Sequence, residues 1–212
     1  MLNNILNFPV LNKLSPLKPS PAPEPAHEQV REQKFNVSQP NAVYDLATSI
    51  RNLVQTAKTD NHEIIILCIG TDRSTGDSLG PLTGSKLKTL NIFPHVYGTL
   101  DDPVHATNLE AKLKIITSSF ANPFVIAVDA CLGKLENVGC VTLGRGSVKP
   151  GAAVNKNLPA VGNAYITGIV NVGGFMEHMV LQSTRLNLVM KMADTIAHGL
   201  TFGIGRIHGK LH

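Results

Sequence analysis

Two acidic residues stand where acid–base chemistry could use them. Asp77 lies in the polar loop Gly70-Thr-Asp-Arg-Ser-Thr-Gly-Asp-Ser-Leu-Gly-Pro81, between a strand pattern and a helix pattern. Asp129 closes the apolar run Phe124-Val-Ile-Ala-Val-Asp129 and is followed by Ala130-Cys-Leu-Gly133. Two carboxyls sharing one site resist ionising together, so one keeps its proton and serves as acid while the other serves as base. A strand-end aspartate is poorly explained by structure alone, because a buried charge costs several kcal/mol unless it is paired. Each residue also has a bland reading. Asp77 could be a helix N-cap whose oxygen accepts backbone N–H bonds, and Asp129 could cap a nearby turn. The loop around Asp77 is longer than the roughly two to six residues of most strand-to-helix turns, and it presents Asp72 and Arg73 as well.

Other chemistries fit less well. The loop has no Gly-Lys-Ser/Thr and no G-x-G-x-x-G, so no nucleotide cofactor is expected. Cys131 lacks a histidine in an evident partner motif, which argues against a thiol nucleophile. His95, His105 and His178 are isolated, with no H-x-x-x-H or C-x-x-C spacing, so no metal site is expected. His198, His208 and His212 fall near the end of the sequence. The stretch Lys149-Pro-Gly-Ala-Ala-Val-Asn-Lys-Asn157 reads equally as a substrate flap or a surface loop. Thr71, Asp72 and Arg73, with Lys149, Asn155 and Lys156, are the candidate substrate-binding residues.

These side chains need elements to position them. The runs from Glu63 to Ile69 and from Phe124 to Asp129 are continuously apolar and β-branched, which suits strands covered on both faces. Shorter strands are expected over 95–100 and 138–143, and a longer one over 164–172. The 3.6-residue period predicts helices over 41–59, 78–90 and 107–120, and a helix in two pieces over 175–200. The last is given an inner stripe of Leu186, Val189, Met190, Ala193, Ile196 and Ala197. Residues 145–162 read as a long loop. Strands alternating with helices imply a mostly parallel sheet with helices on both faces, where ligands bind beyond the carboxyl ends of the strands. That rule selects three segments: 70–80, 129–133 and the loop after the strand ending near Leu143.

Residues 1–40 hold seven of the thirteen prolines and read as a disordered tail. Residues 41–205 read as one α/β domain, with 206–212 a short C-terminal tail. Hydrophobic residues make up 43% and charged residues 16%, an ordinary balance for a globular domain. There is no apolar run long enough to span a membrane, and the first residues lack a basic region followed by a continuous apolar one. Three cysteines at irregular spacing argue against a disulfide framework and fit a reducing, cytoplasmic compartment. A net charge of +4 without a dense Lys/Arg cluster gives nucleic-acid binding no support.

The Asp77 loop resembles the corresponding loop of the spore germination protease, where a strand-end glycine is followed by a polar loop and Asp-x-Leu-Gly-Pro. Val-Ile-Ala-Val-Asp129-Ala looks like that family's second aspartate strand, and Pro150-Gly151 with Asn155-Lys156 looks like its later glycine-rich loop. Residues 161–176 and the helix 184–194 resemble the sporulation protein YyaC family, grouped with spore proteases. The resemblance covers about residues 40–200.

That resemblance implies a three-layer α/β/α, phosphorylase/hydrolase-like fold, shared with hydrogenase maturation proteases. It implies that Asp77 and Asp129 are the catalytic pair of an aspartate-dependent endopeptidase acting on spore proteins, among them small acid-soluble spore proteins, in the forespore or spore core. Hydrogenase maturation proteases have Glu at the first acidic position and a His that completes a nickel site. Here that position is Asp77 and no third ligand is evident. Two alternatives remain: a non-catalytic peptide-binding or structural spore protein, and a metal-dependent hydrolase. Oligomeric state is left open. Of the pair, Asp77 at a helix start is assigned the base, and Asp129 among apolar residues the acid.

Overall fold

The computed structural model describes residues 32–91, 95–150 and 158–205. In chain order its elements are β1 (Gln33–Asn36), α1 (Ala42–Thr59), β2 (Glu63–Cys68), α2 (Leu79–Leu90), β3 (Val96–Tyr97), α3 (Leu109–Ser119), β4 (Pro123–Gly133), β5 (Cys140–Arg145), β6 (Ala164–Val172), α4 (Glu177–Gln182) and α5 (Leu186–Gly205). The strands form one sheet in the order β1-β5-β6-β4-β2-β3. β3, β2, β4 and β6 run parallel to one another, whereas β5 is antiparallel to both β6 and β1.

The apolar runs are continuous because each face of the sheet is covered. Ile66, Cys68, Ile126, Val128 and Ile166 join the core shared with α1, α2 and α5. Their alternates Ile65, Leu67, Val125 and Ala127 join a second core with Leu109 and Ile116 of α3. Most of these side chains are entirely buried. At roughly 1.5–3 kcal/mol for each large one, they make the middle of the sheet the firmest part of the molecule. The result is a three-layer α/β/α fold with a mostly parallel sheet.

Several boundaries differ from the expectations. Gln33–Asn36 fall within the stretch read as tail, yet they pair with β5, Lys34 opposite Thr142 and Phe35 opposite Val141. This strand has only one apolar residue, so its conformation comes from a distant partner and not from its own pattern. The strand expected over 95–100 is only Val96–Tyr97. The buried stripe of α5 runs through Val189, Met192, Ala193, Ile196, Ala197 and Leu200, while Leu186 is exposed. The segment read as one long loop starts with the last residue of β5 and contains a bridge between Val148 and Val161. Residues 151–157 of that segment, including Asn155 and Lys156, lie outside the described residues, as do residues 1–31 and 206–212.

β5 brings a further correction. Because it runs antiparallel, its own carboxyl end is at the edge opposite Asp129. The following chain still reaches the site, because Val148 and Leu158 pack on the α3 side of the sheet.

Candidate active site

Gly70 sets the position of the first aspartate. Beyond β2, the Ile69 N–H still donates to the Val128 carbonyl (2.7 Å) and the Gly70 N–H to the Val104 carbonyl (2.8 Å). Gly70 has φ +142°, and a Cβ there would collide with the backbone carbonyl of Asp77. Only glycine allows this approach. The Thr71 N–H then donates to the Asp77 carbonyl (3.2 Å), so the loop closes on its own base and holds Asp77 beside the end of β2. Asp77 lies in a single 3-10 turn, Gly76–Ser78, that leads into α2. The N-cap residue of α2 is Ser78, one residue later.

Asp129 is held differently. It is not the last residue of its strand: β4 continues to Gly133. The β2 partnership stops at Val128, while β6 goes on pairing, with Thr167 opposite Asp129. The aspartate therefore stands where β4 outruns β2. It is 6% exposed, and the Ala130 N–H donates to its Oδ1 (2.9 Å). Burial, and next the negative charge of Asp77, push its carboxyl up from 3.8 to about 8; the Ala130 N–H pulls the other way and loses. At neutral pH Asp129 is largely protonated and can donate a hydrogen bond.

Both aspartates line one cavity of about 820 Å³. Of the other residues expected to bind substrate, Thr71, Arg73 and Lys149 also line it. Asp72 is exposed and is not part of the wall. Cys131 lines the cavity too, but burial foremost pushes its thiol up to about 11, despite a hydrogen bond from Thr167 that pulls it down. A thiol in that state is a poor nucleophile at neutral pH.

The rest of the wall carries no local sequence signal. Ser74 comes from the Asp77 loop, His105 from the segment before α3, and Glu177, His178 and Gln182 from α4. The His105 ring lies 2.9 Å from the Thr107 hydroxyl, and His178 lies 3.3 Å from the Gln182 amide. These histidines are isolated in the sequence, and the fold alone brings them to the aspartates. Among the described residues, no group of three His, Cys, Asp or Glu side chains is arranged to hold a metal ion.

A neutral carboxyl beside a second acid can pass protons to and from a polar group bound in this cavity. Similar proteins exist. The Bacillus subtilis (strain 168) protein described as "Uncharacterized protein YyaC" is 59% identical over 145 residues, 68% of this chain and 71% of that protein. The crystal structure of a [NiFe] hydrogenase maturation protease HycI from Thermococcus kodakarensis KOD1 aligns at 19% identity and a TM-score of 0.39, covering 66% of this chain and 92% of that one. The fold assignment rests on the sheet topology and not on that alignment. The family described as "Protein of unknown function (DUF1256)" matches residues 34–199, and the chain belongs to that family.

Proposed function

We propose that the chain is an aspartate-dependent endopeptidase whose catalytic unit runs from β1 to α5. The observation that carries this reading is the unequal pair: Asp129 is held protonated by burial and by the charge of Asp77, which lines the same cavity. In the reaction, the Asp77 carboxylate takes a proton from water as the water oxygen attacks the peptide carbonyl carbon. Asp129 gives its proton to the carbonyl oxygen. As the tetrahedral intermediate collapses, the C–N bond breaks and Asp77 passes its proton to the departing nitrogen. The hydroxyl on the carbon returns a proton to Asp129, which restores the pair. Lys149 lines the same cavity and brings a positive charge to it.

The substrate class, spore proteins including the small acid-soluble ones, and the forespore or spore core setting follow from the resemblance to the germination protease. The metal-dependent alternative requires a third ligand beside the pair, and no such cluster forms among the described residues.

The test is incubation of the purified protein with extracted spore proteins, alongside Asp77→Asn and Asp129→Asn. Cleavage by the wild type and loss in both variants, with circular dichroism unchanged, supports the reading. Equal cleavage by all three would sink it. Binding without cleavage would point to the peptide-holding alternative.

A further inference from the structure

Where β4 passes the site, one of its edges is open. The backbone N–H and C=O groups of successive strand residues point alternately to the two edges. The Asn163 N–H donates to the Val125 carbonyl (2.8 Å) and the Gly173 N–H to the Gly133 carbonyl (2.8 Å), so the odd-numbered residues of β4 face β6. The Ile69 N–H donates to the Val128 carbonyl (2.7 Å), so the even-numbered residues face β2. The ladder with β2 ends at that bond. The Gly70 N–H turns away to the Val104 carbonyl. The Ile69 carbonyl lies against α2, where a Cβ on Gly80 would collide with it.

Ala130 and Leu132 continue the even-numbered series, and among the described residues no strand takes the place of β2 beside them. The Ala130 N–H is taken by Oδ1 of Asp129 (2.9 Å). On that edge the Ala130 carbonyl and the Leu132 N–H have no partner among the described residues. Both residues line the cavity, together with Ile69, Gly70 and Thr71 of the departing chain. The cavity therefore occupies the lane that β2 leaves, and one of its walls is a strand edge that begins one residue after Asp129. Such an edge is a template for a further strand.

We propose that the substrate backbone adds to this edge as an extended strand in the lane of β2. One of its N–H groups donates to the Ala130 carbonyl and one of its carbonyls accepts from the Leu132 N–H, which holds the bond to be cut beside Asp129. The inference rests on the peptidase reading above and names the substrate class of that site: an unfolded or extended polypeptide segment, recognised chiefly through its main chain. Main-chain pairing gives affinity with little demand on side chains. A helical segment, whose N–H groups are already bonded within the helix, cannot supply it.

The test uses a synthetic peptide spanning a bond that the wild type cuts in extracted spore proteins. In a matched series, each backbone N–H in turn carries a methyl group, except that of the cut bond. Methylation removes one donor and leaves every side chain in place. Because alternate residues of an extended chain face the β4 edge, sensitivity should alternate: kcat/KM should fall about tenfold or more at two positions separated by a tolerant one, which carries the same added bulk. In Asp77→Asn saturated with the unmodified peptide, hydrogen exchange of the Leu132 amide should slow about tenfold or more. A methylation series that falls evenly or not at all, or Leu132 exchange that peptide leaves unchanged, overturns the inference while the peptidase reading stands, since the unmodified peptide is still cut. A wild type that cuts no spore protein overturns both.

Discussion

Replacing Asp129 with Asn should stabilise the protein, and the gain should depend on pH in a way that identifies its cause. The Asp129 carboxyl titrates near 8 in the folded protein and near 3.8 in an unfolded chain. The folded state therefore holds a proton that the unfolded state releases. The stability that comes with this proton is fully present below pH 4 and is lost as pH rises from about 4 to about 8. Between 3.8 and pH 7 there are about 3 pH units, each worth about 1.36 kcal/mol. The penalty at pH 7 is therefore at most about 4 kcal/mol, and half of that remains large against a total stability of ~5–15 kcal/mol. Asn has nearly the same shape, never ionises, and offers its own oxygen to the Ala130 N–H. Urea unfolding of wild type and Asp129→Asn, run side by side from pH 4 to pH 8, isolates the pair, since titrating groups other than Asp77, which is coupled to Asp129, cancel in the difference. The variant should match wild type near pH 4 and lead it by ~2–4 kcal/mol at pH 7. A difference that stays flat with pH would refute the reasoning, because it would mean that Asp129 titrates alike in both states. Asp77→Asn in the same series should flatten the slope, since the Asp77 charge is the second cause of the shift.

Three further substitutions probe the elements that hold the pair. Gly70→Ala places a Cβ against the Asp77 carbonyl at φ +142°; it should cost more than about 3 kcal/mol in urea unfolding and abolish cleavage, and a variant as stable as wild type would contradict the loop geometry. Removing residues 1–31 should leave the melting temperature within about 2 °C, whereas removal through Asn36 strips β1 from β5 and should lower it by several degrees in the same calorimetric scan. Lys149 is exposed at the cavity wall, so Lys149→Ala should change stability by less than about 0.5 kcal/mol while slowing peptide cleavage about tenfold in a steady-state assay.

What the sequence revealed was what local patterning controls. The run Ile64-Ile-Ile-Leu67 and the run Phe124-Val-Ile-Ala-Val128 announced the central strands, because burial on both faces demands apolar side chains at every position. The topological rule for parallel sheets then put Asp77 and Asp129 at the same edge. Gln33–Asn36 gave no such sign, since their strand exists only through β5, more than a hundred residues away. The antiparallel sense of β5 was hidden for a related reason: strand direction depends on how the chain crosses between elements, and the residues within β5 do not record it. His105 precedes α3, and Glu177 and His178 sit in a helix whose pattern says nothing of which cavity it faces, so only the closed fold shows that they share a wall with the aspartates.

The sheet order also governs when this protein can fold during synthesis. β6 is the last strand made, yet it lies between β4 and β5. Until residues 164–172 leave the ribosome, β4 has one bare edge and the β1–β5 pair has nothing to join. The core shared with α1 and α2 waits longer still, because α5 fills it last. At ~5–20 residues per second, the nascent chain spends on the order of seconds with unpaired, strongly apolar strands exposed to solvent and to other nascent chains. The aspartate pair itself needs only β2, the Asp77 loop and β4, all translated early. The acidic pair is thus written into the first two thirds of the chain, while Lys149 and the α4 wall of the cavity, like its closure, come from the final third. A nonsense codon or ribosome stall within β6 would release a fragment carrying both acids and an open, unpaired sheet edge, the kind of surface on which chains aggregate.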